Sequence, residues 1–231
     1  MNKLVIFSVF LVICGFANAG TVSKKDSSSS SEELKELASL LESKFNITII
    51  KDLEELGKKA KAQCPNIETQ IEEVGSQIES CIEDIELGSD TFCSLMKKNL
   101  AKCAKPGVDL ISSCLPAESK ELPTIAIKVV SAIIDQACRS TVEEILELFN
   151  PCILETDIST ISACTEIKTV LEEHRNKLPS KSLVCSTVPK VKSCSKAHRE
   201  ASCKNPITNR VAANFQDAIE ASIKDVCDNK V

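Results

Sequence analysis

Cysteine is the residue type in this chain whose spacing can do chemistry. Thirteen occur: Cys14 stands alone near the start, followed by Cys64, Cys81, Cys93, Cys103, Cys114, Cys138, Cys152, Cys164, Cys185, Cys194, Cys203 and Cys227. A thiol can ligate a metal, attack a substrate or be oxidised to a disulfide. There is no C-x-x-C and no histidine pair at ligand spacing, so the compact Cys/His sets that hold zinc are missing and no metal is expected. An even number of cysteines in an exported chain points instead to pairing, and all but Cys14 are expected in disulfides. Spacing alone does not decide which pairs with which.

Export rests on the first 19 residues. Lys3 supplies a positive start, Leu4 to Cys14 is an apolar run, and Ala17-Asn18-Ala19 is the small-x-small pattern cut by signal peptidase. The run is shorter than the ~20 residues that a membrane-spanning helix needs. Cleavage after Ala19 removes Cys14 and leaves twelve cysteines. The most apolar later stretch, Ile125 to Ile134, is interrupted by Lys128, and the chain ends Asp228-Asn229-Lys230-Val231 without a retention signal. The expected location is therefore extracellular, with no membrane span.

Catalytic chemistry has little to work with. The histidines, His174 and His198, sit in charged surroundings (Glu173-His174-Arg175 and His198-Arg199-Glu200) and read as surface side chains. No Gly-x-Ser-x-Gly, Walker or H-E-x-x-H pattern is present, so no catalytic residue, no cofactor and no enzyme activity are expected. Asn46-Ile47-Thr48 is the one glycosylation sequon, making Asn46 the expected glycan site; Asn150 and Asn205 each precede proline.

Composition narrows the partners. Trp and Tyr are absent, and Phe45, Phe92, Phe149 and Phe215 are the only aromatics after the leader. Nucleic-acid binding by base stacking is excluded as an expectation, and the core must be aliphatic. The mature chain carries a net charge of −6, yet residues 177–204 gather Lys177, Lys181, Lys190, Lys192, Lys196, Arg199 and Lys204 against Glu200 alone. That block is either a face for an anionic partner or, more commonly for such runs, a solvated surface.

The cysteines need a frame, and hydrophobic periodicity supplies helices. Residues 20–31, Ser-rich and polar, read as a flexible leader ahead of a helical domain over 32–231. Ser30 and Ser31 before Glu32 and Glu33 resemble a kinase S-x-E site, but helix capping is the favoured reading. Leu34, Leu37, Leu41 and Phe45 then share a face. Ile67, Ile71, Val74, Ile78, Ile82 and Ile85 recur at helical spacing. So do Ile158, Ile161, Ile167, Val170 and Leu171, and again Val211, Phe215, Ile219, Ile223 and Val226. Each such stripe predicts a helix with one buried face. Ser140-Thr141-Val142-Glu143 reads as a capping box opening a helix through Ile145, Leu146 and Phe149 that stops at Pro151. Ile125 to Val130 is β-branched, but the run continues to Cys138 and favours a buried helix. The expected fold is all-α, a disulfide-reinforced helical bundle.

The ladder also suggests repetition. Cys93, Cys103, Cys114 and Cys138 are spaced 10, 11 and 24 apart; Cys185, Cys194, Cys203 and Cys227 are spaced 9, 9 and 24 apart. With Cys64 and Cys81 before the first set, and Cys152 and Cys164 before the second, two related six-cysteine units emerge over about 60–145 and 146–231. Cys64-Pro65, the block from Cys138-Arg139-Ser140 to Phe149-Asn150-Pro151-Cys152, and the continuing ladder from Cys164 to Cys227 resemble the insect 27 kDa haemolymph glycoprotein family over residues 60–230. That resemblance implies a secreted, cysteine-rich, helical protein of haemolymph or another extracellular fluid. It implies no activity.

Two functional readings follow. Aliphatic helices held apart by disulfides can enclose a small hydrophobic ligand such as a fatty acid, hormone or pheromone, with 125–134 as a wall. Alternatively the protein is a plasma, salivary or defence component acting through its surface, with 177–204 as the contact face.

Overall fold

The computed structural model describes Cys64 and residues 67–228 apart from 87, 155–160 and 175–177. The export leader, the 20–31 segment, the Leu34–Phe45 stripe and Asn46 lie outside the described residues. Among the described residues the regular elements are all helices: α1 Ile67–Glu83, α2 Phe92–Cys114, α3 Leu122–Ala137, α4 Val142–Glu147, α5 Pro151–Leu154, α6 Ser162–His174, α7 Lys181–Ser202 and α8 Pro206–Asp228. By packing, the chain divides into two compact units between Pro116 and Ala117.

The first unit contains α1 and α2, packed as a hairpin. Gly88 lies in their connection at φ 38°, the left-handed region where a side chain costs energy. Thr91 begins α2, its hydroxyl accepting from the Ser94 N–H at 3.3 Å and satisfying one of the orphan donors of the first turn. Cys81–Cys103 joins the two helices, and Cys64–Cys114 ties the chain before α1 to the end of α2.

The second unit contains α3 to α8 and is built around α8. Val211, Phe215, Ile219, Ile223 and Val226 of α8 are all buried, as their three- and four-residue spacing predicts. α8 packs on α3, α7 and α4. Ile125 of α3 meets Ile223 and Val226, with Leu122, Val129, Val184 and Val188 against them. A second cluster joins Ile167 of α6 to the Cys164–Cys194 bridge, with Ile161 and Val191 alongside. Before these helices, Ser119 Oγ donates to the Pro179 carbonyl at 2.8 Å and the Lys181 N–H donates to the Glu118 carbonyl at 2.7 Å. These two bonds hold the starts of α3 and α7 together.

The disulfides nest in the same way along the chain. Cys64–Cys114 encloses Cys81–Cys103, and Cys152–Cys203 encloses Cys164–Cys194; the outer separations are 50 and 51 residues. Cys185–Cys227 then fastens α7 to α8, and Cys93 and Cys138 are disulfide-bonded as well.

Around α4 the structure departs from the sequence reading. The capping box exists one residue later: Thr141 Oγ1 accepts from the Glu144 N–H at 3.2 Å and Glu144 Oε2 accepts from the Thr141 N–H at 2.9 Å. Thr141 has the extended backbone that an N-cap requires. Pro151 opens α5 rather than only ending α4, and Asn150 Oδ1 caps it by accepting from the Cys152 N–H at 3.2 Å. Asn205 and Pro206 repeat the device at α8, with Asn205 Oδ1 accepting from the Ile207 N–H at 2.9 Å. The stripe expected to bury Leu146 and Phe149 instead leaves them 63% and 54% exposed.

Non-reducing peptide mapping of the oxidised protein is expected to recover Cys64–Cys114, Cys81–Cys103, Cys152–Cys203, Cys164–Cys194 and Cys185–Cys227. Ile167, with 0% of its surface exposed, carries a second expectation. In denaturant unfolding Ile167→Ala should cost about 2–5 kcal/mol, and Leu146→Ala less than about 0.5 kcal/mol.

Candidate binding surfaces

Helix α7 carries most of the basic block, and Ser180 starts it, its hydroxyl accepting from the Leu183 N–H at 3.1 Å. Its lysines do not form an open cationic face. Lys181 bridges Glu121 at 3.0 Å; Lys190 bridges Glu166 of α6; Lys192 bridges Asp217 at 2.8 Å and Glu220 at 2.5 Å, both on α8; Lys196 approaches Glu200 at 3.8 Å. Asp217 and Glu220 hold the Lys192 ammonium charged above its ordinary range. The acids come from distant parts of the sequence, so the local count of +6 overstates the charge presented to solvent. Lys204 is exposed, and Lys177 lies outside the described residues.

The remaining members of the block are interior. Arg199 and His198 are each 4% exposed. Arg199 donates to Ser195 Oγ at 2.8 Å and to Gln216 Oε1 at 2.6 Å, so its charge rests on neutral oxygens. The His198 ring was expected at the surface. It is buried because residues 194, 195, 198 and 199 lie on the face of α7 turned inward, a matter of helical phase that its charged neighbours in sequence conceal. Neither ring nitrogen has a hydrogen-bond partner. Burial, with Arg199 alongside, pulls its pKa below the usual histidine value.

In the first unit a groove of about 580 Å³ opens between α1 and α2, lined by Glu73, Gln77, Ser80, Asp84, Asn99 and Lys102 among others. Most of its lining residues carry polar side chains, although more of the surface they present is apolar than polar. Among the described residues no group of three or more His, Cys, Asp and Glu side chains is placed to hold a metal ion. Likewise among the described residues, no helix is long and apolar enough to cross a membrane.

The apolar surface that stands out is on α4. Val142 and Leu146 of α4 are 74% and 63% exposed, and Phe149, in the turn that follows the helix, continues the same stripe open to solvent. The opposite side of the helix is fastened down: Arg210 of α8 bridges Glu144 at 2.9 Å, and the Thr208 hydroxyl donates to Glu147. The backbone N–H of Thr141, and then Arg210, hold the Glu144 carboxyl below its usual range. These polar contacts fix which face of α4 looks inward and so leave the apolar one outside. An exposed apolar stripe reads as a contact surface. Its signal in the sequence is Glu144 and Glu147 at i, i+3, which compete with Leu146 and Phe149 for the packed side.

Comparison with known proteins finds no matching family model, no matching curated protein and no matching solved structure.

The lysine bridges are partly open to solvent and should be individually weak. Lys190→Ala and Lys192→Ala are each expected to lower unfolding free energy by no more than about 1 kcal/mol, with the difference shrinking at high salt, in urea titrations at low and high ionic strength.

Proposed function

We propose that this chain is an exported extracellular protein that acts by binding through its surface, without catalysis of its own. The oxidised cysteine frame supports the location, because disulfides persist in oxidising compartments. The single observation behind the mode of action is the α4 stripe, where Val142, Leu146 and Phe149 face water on a helix whose other side is anchored. The salt-bridged state of Lys181, Lys190, Lys192 and Lys196 argues for this apolar stripe over the basic block as the contact face. Enclosure of a small hydrophobic ligand is the other reading. It draws on the aliphatic helices, while the groove between α1 and α2 sets charged and polar side chains such as Glu73, Asp84 and Lys102 around its apolar surface.

The resemblance to insect haemolymph glycoproteins belongs to the same proposal and supports haemolymph or another extracellular fluid as the location, and the Asn46-Ile47-Thr48 sequon supports a glycan on Asn46. So does the reading of two related six-cysteine units, which the shared nesting of bridges supports. The packing boundary at 116/117 marks something different from the repeat junction near 145, since α3 packs with α8.

Native mass spectrometry of the protein secreted from eukaryotic cells separates the two modes of action. A bare glycoprotein mass, together with partner capture from extracellular fluid that is lost in Leu146→Ser and Phe149→Ser variants of unchanged helicity, is the expected result. A discrete adduct of lipid mass, retained in those variants, would establish the enclosed-ligand reading instead.

A further inference from the structure

The imidazole of His198 is a titratable group that the surface reading leaves unused. It lies inside the second unit with 4% of its surface exposed and both ring nitrogens unpartnered. A neutral ring can occupy such a place at moderate cost. A protonated ring carries a charge and a second N–H donor, and both need partners.

The surroundings offer none. On α7 itself the nearest charge in sequence is the equally buried Arg199, which repels a second cation, and Glu200 is drawn towards Lys196. On α8, Asp217 and Glu220 are bridged to Lys192. On α6, Glu166 is bridged to Lys190. The short helix α5, Pro-Cys-Ile-Leu, carries no charge. Asp225 of α8 is bridged to Lys128 of α3. Glu173 of α6 and Asp228 of α8 lie towards the start of α7, away from His198, by the register that Cys164–Cys194, Glu166–Lys190 and Cys185–Cys227 set. Among the described residues, then, the carboxylates of α6 and α8 bridged to α7 are already committed to its lysines.

We propose that His198 makes the packing of α7 acid-sensitive: protonation drives the ring out of the interior and loosens α7 from its neighbours, while the three disulfides that anchor α7 keep the chain in register so that the change reverses at neutral pH. Cys152–Cys203, Cys164–Cys194 and Cys185–Cys227 each anchor α7 or its C-terminal end to another helix. A loosened α7 therefore stays close to its native position.

The direction follows from linkage. The ring's folded-state pKa lies below its ordinary 6.5 because burial and Arg199 disfavour the charged form. On acidification the unfolded or loosened chain takes up a proton that the packed chain refuses. The contribution to stability is fully present above about pH 6.5 and is lost as the pH falls towards the folded-state value.

The test uses the whole secreted, oxidised protein. Melting followed by circular dichroism from about pH 8 to about pH 5 compares wild type, His198→Leu and, as a control that keeps His198, His174→Gln. Wild type and the control are expected to lose several degrees more on acidification than His198→Leu, and to recover on return to neutral pH. An equal loss in His198→Leu would overturn the proposal. Should that variant fail to fold, the wild-type ring decides the matter by NMR. The His198 ring proton should hold its neutral-form shift until amide exchange across 181–202 accelerates beyond its intrinsic pH dependence. A ring that protonates with an ordinary midpoint and leaves exchange unchanged also overturns it.

Discussion

Helix α7 is held at three points by covalent bonds: Cys185 to Cys227 on α8, Cys194 to Cys164 on α6, and Cys203, at its C-terminal cap, to Cys152 on α5. The rest of the second unit depends on that constraint. The core is aliphatic and modest, with Ile125, Ile167, Val211 and Ile223 among its buried members and Phe215 its one buried aromatic. Without large rings, each buried side chain contributes only about 1.5–3 kcal/mol. Cross-links that restrict the unfolded chain, each worth about 2–4 kcal/mol, supply a comparable share. The same helix contains Pro189 in its interior, where a proline removes a backbone hydrogen bond, and buries His198 and Arg199 side by side.

The same frame changes the meaning of charge. Read along the sequence, 177–204 is a basic block in an acidic protein. In three dimensions its lysines meet acids contributed by residues 121, 166, 217 and 220. Two of its cationic or titratable groups turn inward altogether. A linear count treats neighbours in sequence as neighbours in space, and a helix separates consecutive residues by about 100° of rotation. Lys196 is therefore at the surface while His198 and Arg199 are interior.

Much of the architecture was legible beforehand. The stripes at Ile71–Ile78 and Val211–Val226, and the long apolar run from Ile125, all became helices, because period 3.6 is a strong signal over several turns. The capping box was legible to within one residue; Ser140 and Thr141 are chemically equivalent caps, and only backbone conformation chose Thr141. Asn150-Pro151 and Asn205-Pro206 are readable as cap and first-turn pairs, because Asn accepts from an orphan N–H and Pro suits the first turn of a helix. The exposure of the α4 stripe was legible only as a competition between Glu144 and Glu147 and the apolar side chains for the packed side, with nothing local to decide it. Apolar spacing shows that a helix has two faces, and packing decides which one is covered.

Cysteine number, helical periodicity and capping chemistry are local properties, and they determined an all-helical, disulfide-linked protein with an aliphatic core. The pairing of the cysteines, the neutralisation of the basic block, the burial of His198 and the exposure of Leu146 and Phe149 were decided by the tertiary structure. Each depends on which distant segments come together: Glu144 with Arg210, Glu166 with Lys190, Cys185 with Cys227. The residues that meet in such contacts lie 24 to 66 positions apart, well beyond the few turns over which a sequence pattern carries physical information.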